Sequence, residues 1–132
     1  MQNRLLSLFF VVAIVLTLAI PVMAEEIQPR ADLYFGAATA YLAADKSVTF
    51  DCTTYAIHTS ISITSVWLEQ KIDGEWEYVK SLPTPSYVAS NTISYVTDAS
   101  YSSEIGTGTF RIGFTANADG HTITRNSNSR TF

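Results

Sequence analysis

The chain has 132 residues and a formal net charge of −4, and only 15% of its residues are charged. An acidic chain of this kind lacks the positive field that attracts nucleic acids and anionic membrane surfaces, so neither is expected as a partner. Its single cysteine, Cys52, excludes an internal disulfide.

Residues 1–24 have the pattern of a secretory signal peptide. One basic residue, Arg4, precedes an apolar run over Leu5–Ile20, and Pro21 and the small residue Ala24 follow it. A positive start, an apolar segment and a small-residue cleavage site predict export with cleavage after Ala24. The competing interpretation is a retained membrane anchor, because the apolar run approaches the length that spans a bilayer. No cysteine lies at the cleavage point, so lipid attachment there is not expected.

Cleavage would leave one acidic domain, since every acidic residue lies beyond Ala24. The chain contains no N-x-S/T sequon and cannot form an internal disulfide. Exported proteins without disulfides or sequons are typical of many Gram-positive bacteria. The expected location is therefore secreted or extracellular, with association to the cell envelope as an option and membrane contact only through an uncleaved signal peptide.

The first strands follow a short polar lead-in, residues 25–32. Leu33–Leu42 predicts a weak strand, with a short helix as the alternative because the segment is rich in alanine. Ser47–Thr53 alternates polar and apolar residues and predicts a second strand. Cys52 falls on its apolar face, which favours a buried thiol over a reactive one.

A hairpin is the clearest local prediction. Ile61–Ile72 and Glu75–Lys80 alternate in polarity on either side of Asp73-Gly74, and an Asp-Gly pair in this position favours the positive φ of a tight turn. Further on we predict a strand over Asn91–Thr97 and a Ser/Gly-rich loop over Asp98–Gly108. A core strand over Thr109–Asn117 follows, and Asp119-Gly120 forms a second hairpin turn leading into His121–Arg125. Short strands with regular turn signals predict an all-β domain over 33–132, a single antiparallel β-sandwich of immunoglobulin-like architecture.

The immunoglobulin likeness is architectural. The spacing of Cys52 and Trp67 is similar to that of the cysteine and tryptophan of immunoglobulin domains. The second cysteine is missing, because Ile112 and Phe114 occupy the later core strand. Fold alone would not assign a function.

Several short motifs resemble a group of small exported proteins of gut Firmicutes. They are Ile27-Gln28-Pro29-Arg30-Ala31, similar to an I-x-P-R-A start, the turn segment Lys71–Trp76, the strand Gly108–Ala116 and the closing segment Thr122–Thr131. The sequence departs from the group in carrying Phe110 where tyrosine is more common. The resemblance implies an export signal and one compact β domain of unknown function, and it carries over no site residues.

Metal and catalytic patterns are weak in this sequence. His58, His121 and Cys52 are the soft ligands of a possible zinc site, but no two of them are spaced as a pair on one element. Asp98, Asp119 and Glu104 lie near predicted loops that would suit calcium, without the spacing of a calcium-binding loop. No nucleophile stands beside a base in a recognisable motif. We therefore expect no cofactor, no metal and no enzymatic activity.

Aromatic residues give the most specific functional expectation. Trp67 shares its strand face with Glu69 and Lys71, and Trp76, Tyr78 and Lys80 alternate together on the return strand of the hairpin. A strip formed by Trp67, Trp76 and Tyr78 could anchor a protein partner or stack on cell-wall glycan. The alternative is that these side chains are cross-strand pairs that only stabilise the sheet.

Overall fold

A computed structural model of the protein describes residues 33–132, and the predicted signal peptide (1–24) and lead-in (25–32) lie outside them. The described residues form seven strands and no helix. The strands are β1 (Phe35–Leu42), β2 (Ser47–Ile72), β3 (Glu75–Leu82), β4 (Val88–Ser100), β5 (Thr109–Ala118), β6 (His121–Asn126) and β7 (Arg130–Thr131). All of their pairings are antiparallel and join them into one curled sheet. The prediction of an all-β fold with antiparallel strands is confirmed.

β2 organises the sheet because it is 26 residues long and pairs with four other strands. Its first half pairs with β1 and β4, and its second half pairs with β5 and β3. The prediction of two separate strands, Ser47–Thr53 and Ile61–Ile72, was wrong. The segment between them contains no glycine or proline, and a change of register against β4 between Thr53 and His58 lets the strand bend without ending.

Both predicted hairpins are confirmed. Asp73 and Gly74 have φ values of 52° and 83°, and Asp119 and Gly120 have φ values of 49° and 92°. These positive values are the ones that Asp-Gly turns between antiparallel strands require. Residues 35–42 form strand β1, so the strand interpretation of that segment is correct and the helical alternative is wrong.

The core lies on the inner face of the curled sheet. Phe50 on β2 and Phe114 on β5 are fully buried, and their rings meet edge to face with centroids 5.4 Å apart. This contact joins the first half of β2 to the part of the sheet built on its second half. The apolar residues that alternate along the predicted segments Ser47–Thr53 and Thr109–Asn117 are buried: Val48, Phe50, Cys52, Phe110, Ile112, Phe114 and Ala116.

The predicted loop Asp98–Gly108 is shorter and less polar in the structure than expected. Asp98–Ser100 belong to β4, and Tyr101 is buried, with its hydroxyl donating to the carbonyl of Pro83 at 2.7 Å. Lys46 reaches the same loop and donates to the carbonyl of Ile105. The segment therefore closes one end of the core.

The C-terminal segment fastens the end of β1. The side chain of Asn128 accepts a hydrogen bond from the N–H of Leu42 at 2.8 Å and donates to its carbonyl at 3.1 Å. Arg130 donates to the same carbonyl. These bonds satisfy backbone groups that a neighbouring strand would otherwise occupy. No helix in residues 33–132 is long and apolar enough to cross a membrane.

Candidate binding surface

The three predicted binding residues lie on one face of the sheet. Trp67 is on β2, and Trp76 and Tyr78 are on β3, where the register places Trp76 opposite Lys71 and Tyr78 opposite Glu69. Residues directly opposite each other in an antiparallel pair project to the same side. We call this outer face, formed by Trp67, Glu69, Trp76, Tyr78 and Arg111, the aromatic platform.

Arg111 is the centre of the aromatic platform, although its sequence position gave no reason to expect this. Its guanidinium donates to Oε1 of Glu69 from Nη2 at 2.8 Å and from Nε at 3.2 Å. The same group lies 4.4 Å from the ring centroid of Trp76. The Arg111 and Glu69 side chains are only 24% and 14% exposed, so solvent screens their attraction less than at an open surface. Arg111 thus fixes one aromatic ring and one carboxylate together.

Trp67 is held by a second set of contacts. Its indole N–H donates to Oε2 of Glu69 at 2.9 Å, so Glu69 links Trp67 to Arg111. The indole ring covers Gly113 on β5, and a Cβ atom at that position would overlap the ring. Because Gly113 has no side chain, the indole ring packs directly against the backbone of β5. A glycine inside a predicted core strand is a signal of close approach that sequence reasoning could have used.

Tyr78 is the most exposed member of the aromatic platform, at 64%. Its hydroxyl lies within hydrogen-bonding distance of Ser81 Oγ, at 3.2 Å. The expectation that Lys80 alternates onto the face of Trp76 and Tyr78 was wrong, because the register shifts after Tyr78. Ser81 is opposite Trp67, whereas Lys80 is opposite the buried Leu68.

A second cluster was missed by sequence reasoning. His58 Nδ1 lies 3.2 Å from Asp119 Oδ2, and His121, just after the second hairpin turn, stacks on Tyr34 with ring centroids 3.5 Å apart. The two histidine rings meet edge to face at 6.4 Å. The sequence separates His58 from Asp119 by a span that only the pairing of β2 with β5 closes, so no local motif could have revealed it.

Asp119 has a structural role in this second cluster. Its carboxylate accepts hydrogen bonds from the backbone N–H groups of Thr59 and Ser60 at 2.7 and 2.9 Å. The bond from Thr59 is the main cause of the lowered pKa of Asp119, and the bonds from Ser60 and His58 add to it. The ionised carboxylate accepts the Nδ1–H of His58 and ties the β5–β6 turn to the middle of β2.

The predicted metal candidates are not assembled into a common centre. Within residues 33–132, no three His, Cys, Asp or Glu side chains are arranged to hold a metal ion. Asp98 accepts a hydrogen bond from the Thr49 hydroxyl at 2.6 Å, and Asp119 is bound to backbone groups as described above. Cys52 is fully buried on the inner face of β2, opposite Tyr95.

Cys52 is expected to be chemically inert in the folded protein. Burial, with a smaller contribution from the Asp51 charge, raises the pKa of the thiol from 9.0 to about 12. Because the folded protein holds this proton more tightly, the thiol contributes to stability below pH 9 and loses that contribution as the pH rises toward 12. At pH 8 we expect labelling by a disulfide reagent such as DTNB to be at least about a hundredfold slower than in guanidinium chloride. Equal rates in the two conditions would contradict a buried thiol.

No family model matches the chain, and a search of curated proteins found no match.

Proposed function

We propose that this protein is an exported, non-enzymatic binding module that engages a protein partner at the cell envelope through the aromatic platform. The observation that carries the proposal is the network in which Arg111 holds both Trp76 and Glu69 while Glu69 holds Trp67. These side chains are fixed without a ligand, so binding would cost little side-chain entropy.

The composition of the aromatic platform favours a protein partner. Tryptophan, tyrosine and arginine are the residue types that most often dominate the binding energy of protein interfaces. Trp76 already carries the Arg111 guanidinium near its ring and also has the Lys71 ammonium 5.9 Å from its centroid. Sugar stacking needs an unobstructed ring face, and these two cations compete for the Trp76 ring.

A glycan ligand is the second candidate, and the exposure of Tyr78 favours it. Trp76 and Tyr78 are same-face neighbours on β3, which places their Cα atoms about 6.5–7 Å apart. Two rings in such a row could stack on consecutive sugar units of a cell-wall polysaccharide. The half-buried Trp67 would flank them.

The finer fold description and the location are part of the same proposal. The contact of Phe50 with Phe114 between inner faces supports a β-sandwich of immunoglobulin-like architecture in which β2 contributes to both layers. Export rests on the sequence of residues 1–24, and the lone Cys52 with no sequon supports a Gram-positive source.

The test compares platform variants of the secreted protein against two classes of ligand. Arrays of envelope proteins and of cell-wall polysaccharides would be probed with the native protein, Trp76→Ala, Tyr78→Ala and the control Tyr55→Ala. Tyr55 is a tyrosine that is equally exposed but lies on the first half of β2. We expect the two platform substitutions to weaken binding to an envelope protein by about tenfold or more, and the control to leave it unchanged.

The outcomes separate the two candidates. Polysaccharide binding that is lost in Trp76→Ala would replace the protein partner with a glycan. Binding to either class that is equal in all variants would overturn the aromatic platform as the site. Turnover that is lost on a single Asp, Glu or Cys52 substitution would overturn the non-enzymatic proposal.

A further inference from the structure

The edge strands of the sheet differ in how they are protected from pairing with another chain. Within residues 33–132, β1, β3, β4, β6 and the two-residue β7 each pair with one other strand and so have one free edge. A free edge presents unpaired N–H and C=O groups that can pair with another chain. Stable monomers protect such edges with charges, short strands or covering segments.

Four of these five edges carry such a protection along all or part of their length. β3 carries three charged side chains, Glu75, Glu77 and Lys80. β6 and β7 are only 6 and 2 residues long. The end of β1 is covered, because the side chain of Asn128 bonds both backbone groups of Leu42.

β4 lacks these protections over Thr92–Ser100, and its positive-φ residue, Asn91 (φ 49°), lies just before that stretch. β4 is 13 residues long, contains no proline or lysine, and has one charged residue, Asp98. The Asp98 carboxylate accepts the Thr49 hydroxyl hydrogen at 2.6 Å, which holds the charge against the strand's own neighbour β2. Val88, Ile93 and Val96 are exposed on this strand. Apart from Asp98, its other exposed side chains are those of serine and asparagine, which carry no charge.

We infer that β4 pairs antiparallel with β4 of a second copy of this chain, extending the two sheets into one. A twofold axis makes both copies present the same strand, which is the usual geometry of a dimer interface. With Val96 at the axis, Asp98 of each copy lies opposite Ser94 of the other. The carboxylate then faces a hydroxyl group, and no two like charges meet.

The dimer contact uses a different part of the sheet from the aromatic platform. β4 pairs with Ser47–Ser62 of β2, whereas the platform stands on the second half of β2 and on β3 and β5. A dimer would carry two aromatic platforms on one particle, and a ligand displayed repeatedly on a surface would bind both with increased avidity. The dimer does not depend on the proposed function, and either proposal can fail without the other.

Sedimentation velocity of the secreted protein, followed over about 1–100 µM, tests the inference. We expect a monomer–dimer equilibrium in this range that Val96→Lys weakens by about tenfold or more, because the pairing would bring two ammonium groups together at the axis. The matched control is Val79→Lys on β3, another exposed valine on a free edge. It should leave the equilibrium unchanged.

Covalent capture tests the register. In Val96→Cys, oxidation with diamide should join the two new thiols, each thiol giving up one proton and one electron to the diamide. Cys52 is buried and should not compete, and Val79→Cys should remain monomeric under the same oxidation. A native protein that stays monomeric throughout the concentration range would overturn the inference, as would a Val96→Lys dimer of native affinity. If the lead-in or another protein covered the edge of β4 instead, the native protein would stay monomeric over the whole concentration range, which is the first of these two outcomes.

Discussion

Replacing Phe114 with alanine is expected to lower the free energy of unfolding by about 3–5 kcal/mol, the range seen when a buried aromatic ring is removed. Phe114 is fully buried on β5, opposite Val66 of β2 and Arg125 of β6. Its ring also meets Phe50 across the core, so its removal would leave a cavity between the two halves of the sheet. Urea denaturation followed by circular dichroism measures the change.

A matched substitution separates this effect from general perturbation of a strand. Val79→Ala removes an exposed side chain from β3 and should change stability by less than about 0.5 kcal/mol. If Phe114→Ala is too unstable to measure, Phe114→Leu can replace it, because leucine keeps most of the side-chain volume. Its free energy of unfolding should lie between those of the native protein and Phe114→Ala. A decrease in the free energy of unfolding below about 1 kcal/mol for Phe114→Ala would mean that the contact between Phe114 and Phe50 adds little to the stability of the core.

Replacing Gly113 with alanine is expected to displace Trp67 from the aromatic platform and to destabilise the protein by about 1–3 kcal/mol. The added Cβ atom would overlap the indole ring that covers Gly113. Trp67 could avoid the overlap only by moving outward, which would break its bond to Glu69. Because a displaced indole gains contact with water, its fluorescence emission should shift to longer wavelength.

The measurement is cleanest in a Trp76→Phe background, where Trp67 is the sole tryptophan. Gly106→Ala is the matched control, since a Cβ atom at Gly106 would have no neighbour within 4 Å. It should alter neither the emission nor the stability. An unchanged emission in Gly113→Ala would mean that Trp67 does not rest on this glycine.

Features coded by neighbouring residues were the ones that the sequence allowed us to predict. Asp73-Gly74 and Asp119-Gly120 specify their turns through two residues each, because the positive φ they adopt is a local preference. Strict alternation on β5 placed its apolar residues on the inner face correctly, since side-chain direction has a period of two. The same period placed Trp67 and Glu69 together on the outer face.

Features coded by strand pairing could not be predicted from one sequence. The continuity of β2 depends on its changing partners on either side of the bend, and no residue between 54 and 60 signals that arrangement. Arg111 meets Glu69 only through the register of β5 against β2. His58 meets Asp119 for the same reason. Alternation gives the face of a strand, but it gives neither the neighbour nor the register.

The burial of Tyr101 shows a different limit. The residue lies in a segment of small polar residues that is typical of an exposed loop, and its neighbours Ser102 and Ser103 are exposed. Tyr101, with its hydroxyl bonded to Pro83, and Ile105 both turn inward and make the segment part of the core. Two apolar residues in so short a segment do not establish a period, so pattern analysis cannot detect their burial.

The length of β2 has a consequence for how the domain breaks apart. β1, β3 and β4 pair only with this one strand, and β5 with its partners β6 and β7 joins the rest of the sheet through it, so both halves depend on the same backbone. Local opening that frees one half removes ladder bonds from the strand that supports the other. The two halves should therefore not unfold independently of each other, and we expect unfolding to be all-or-none.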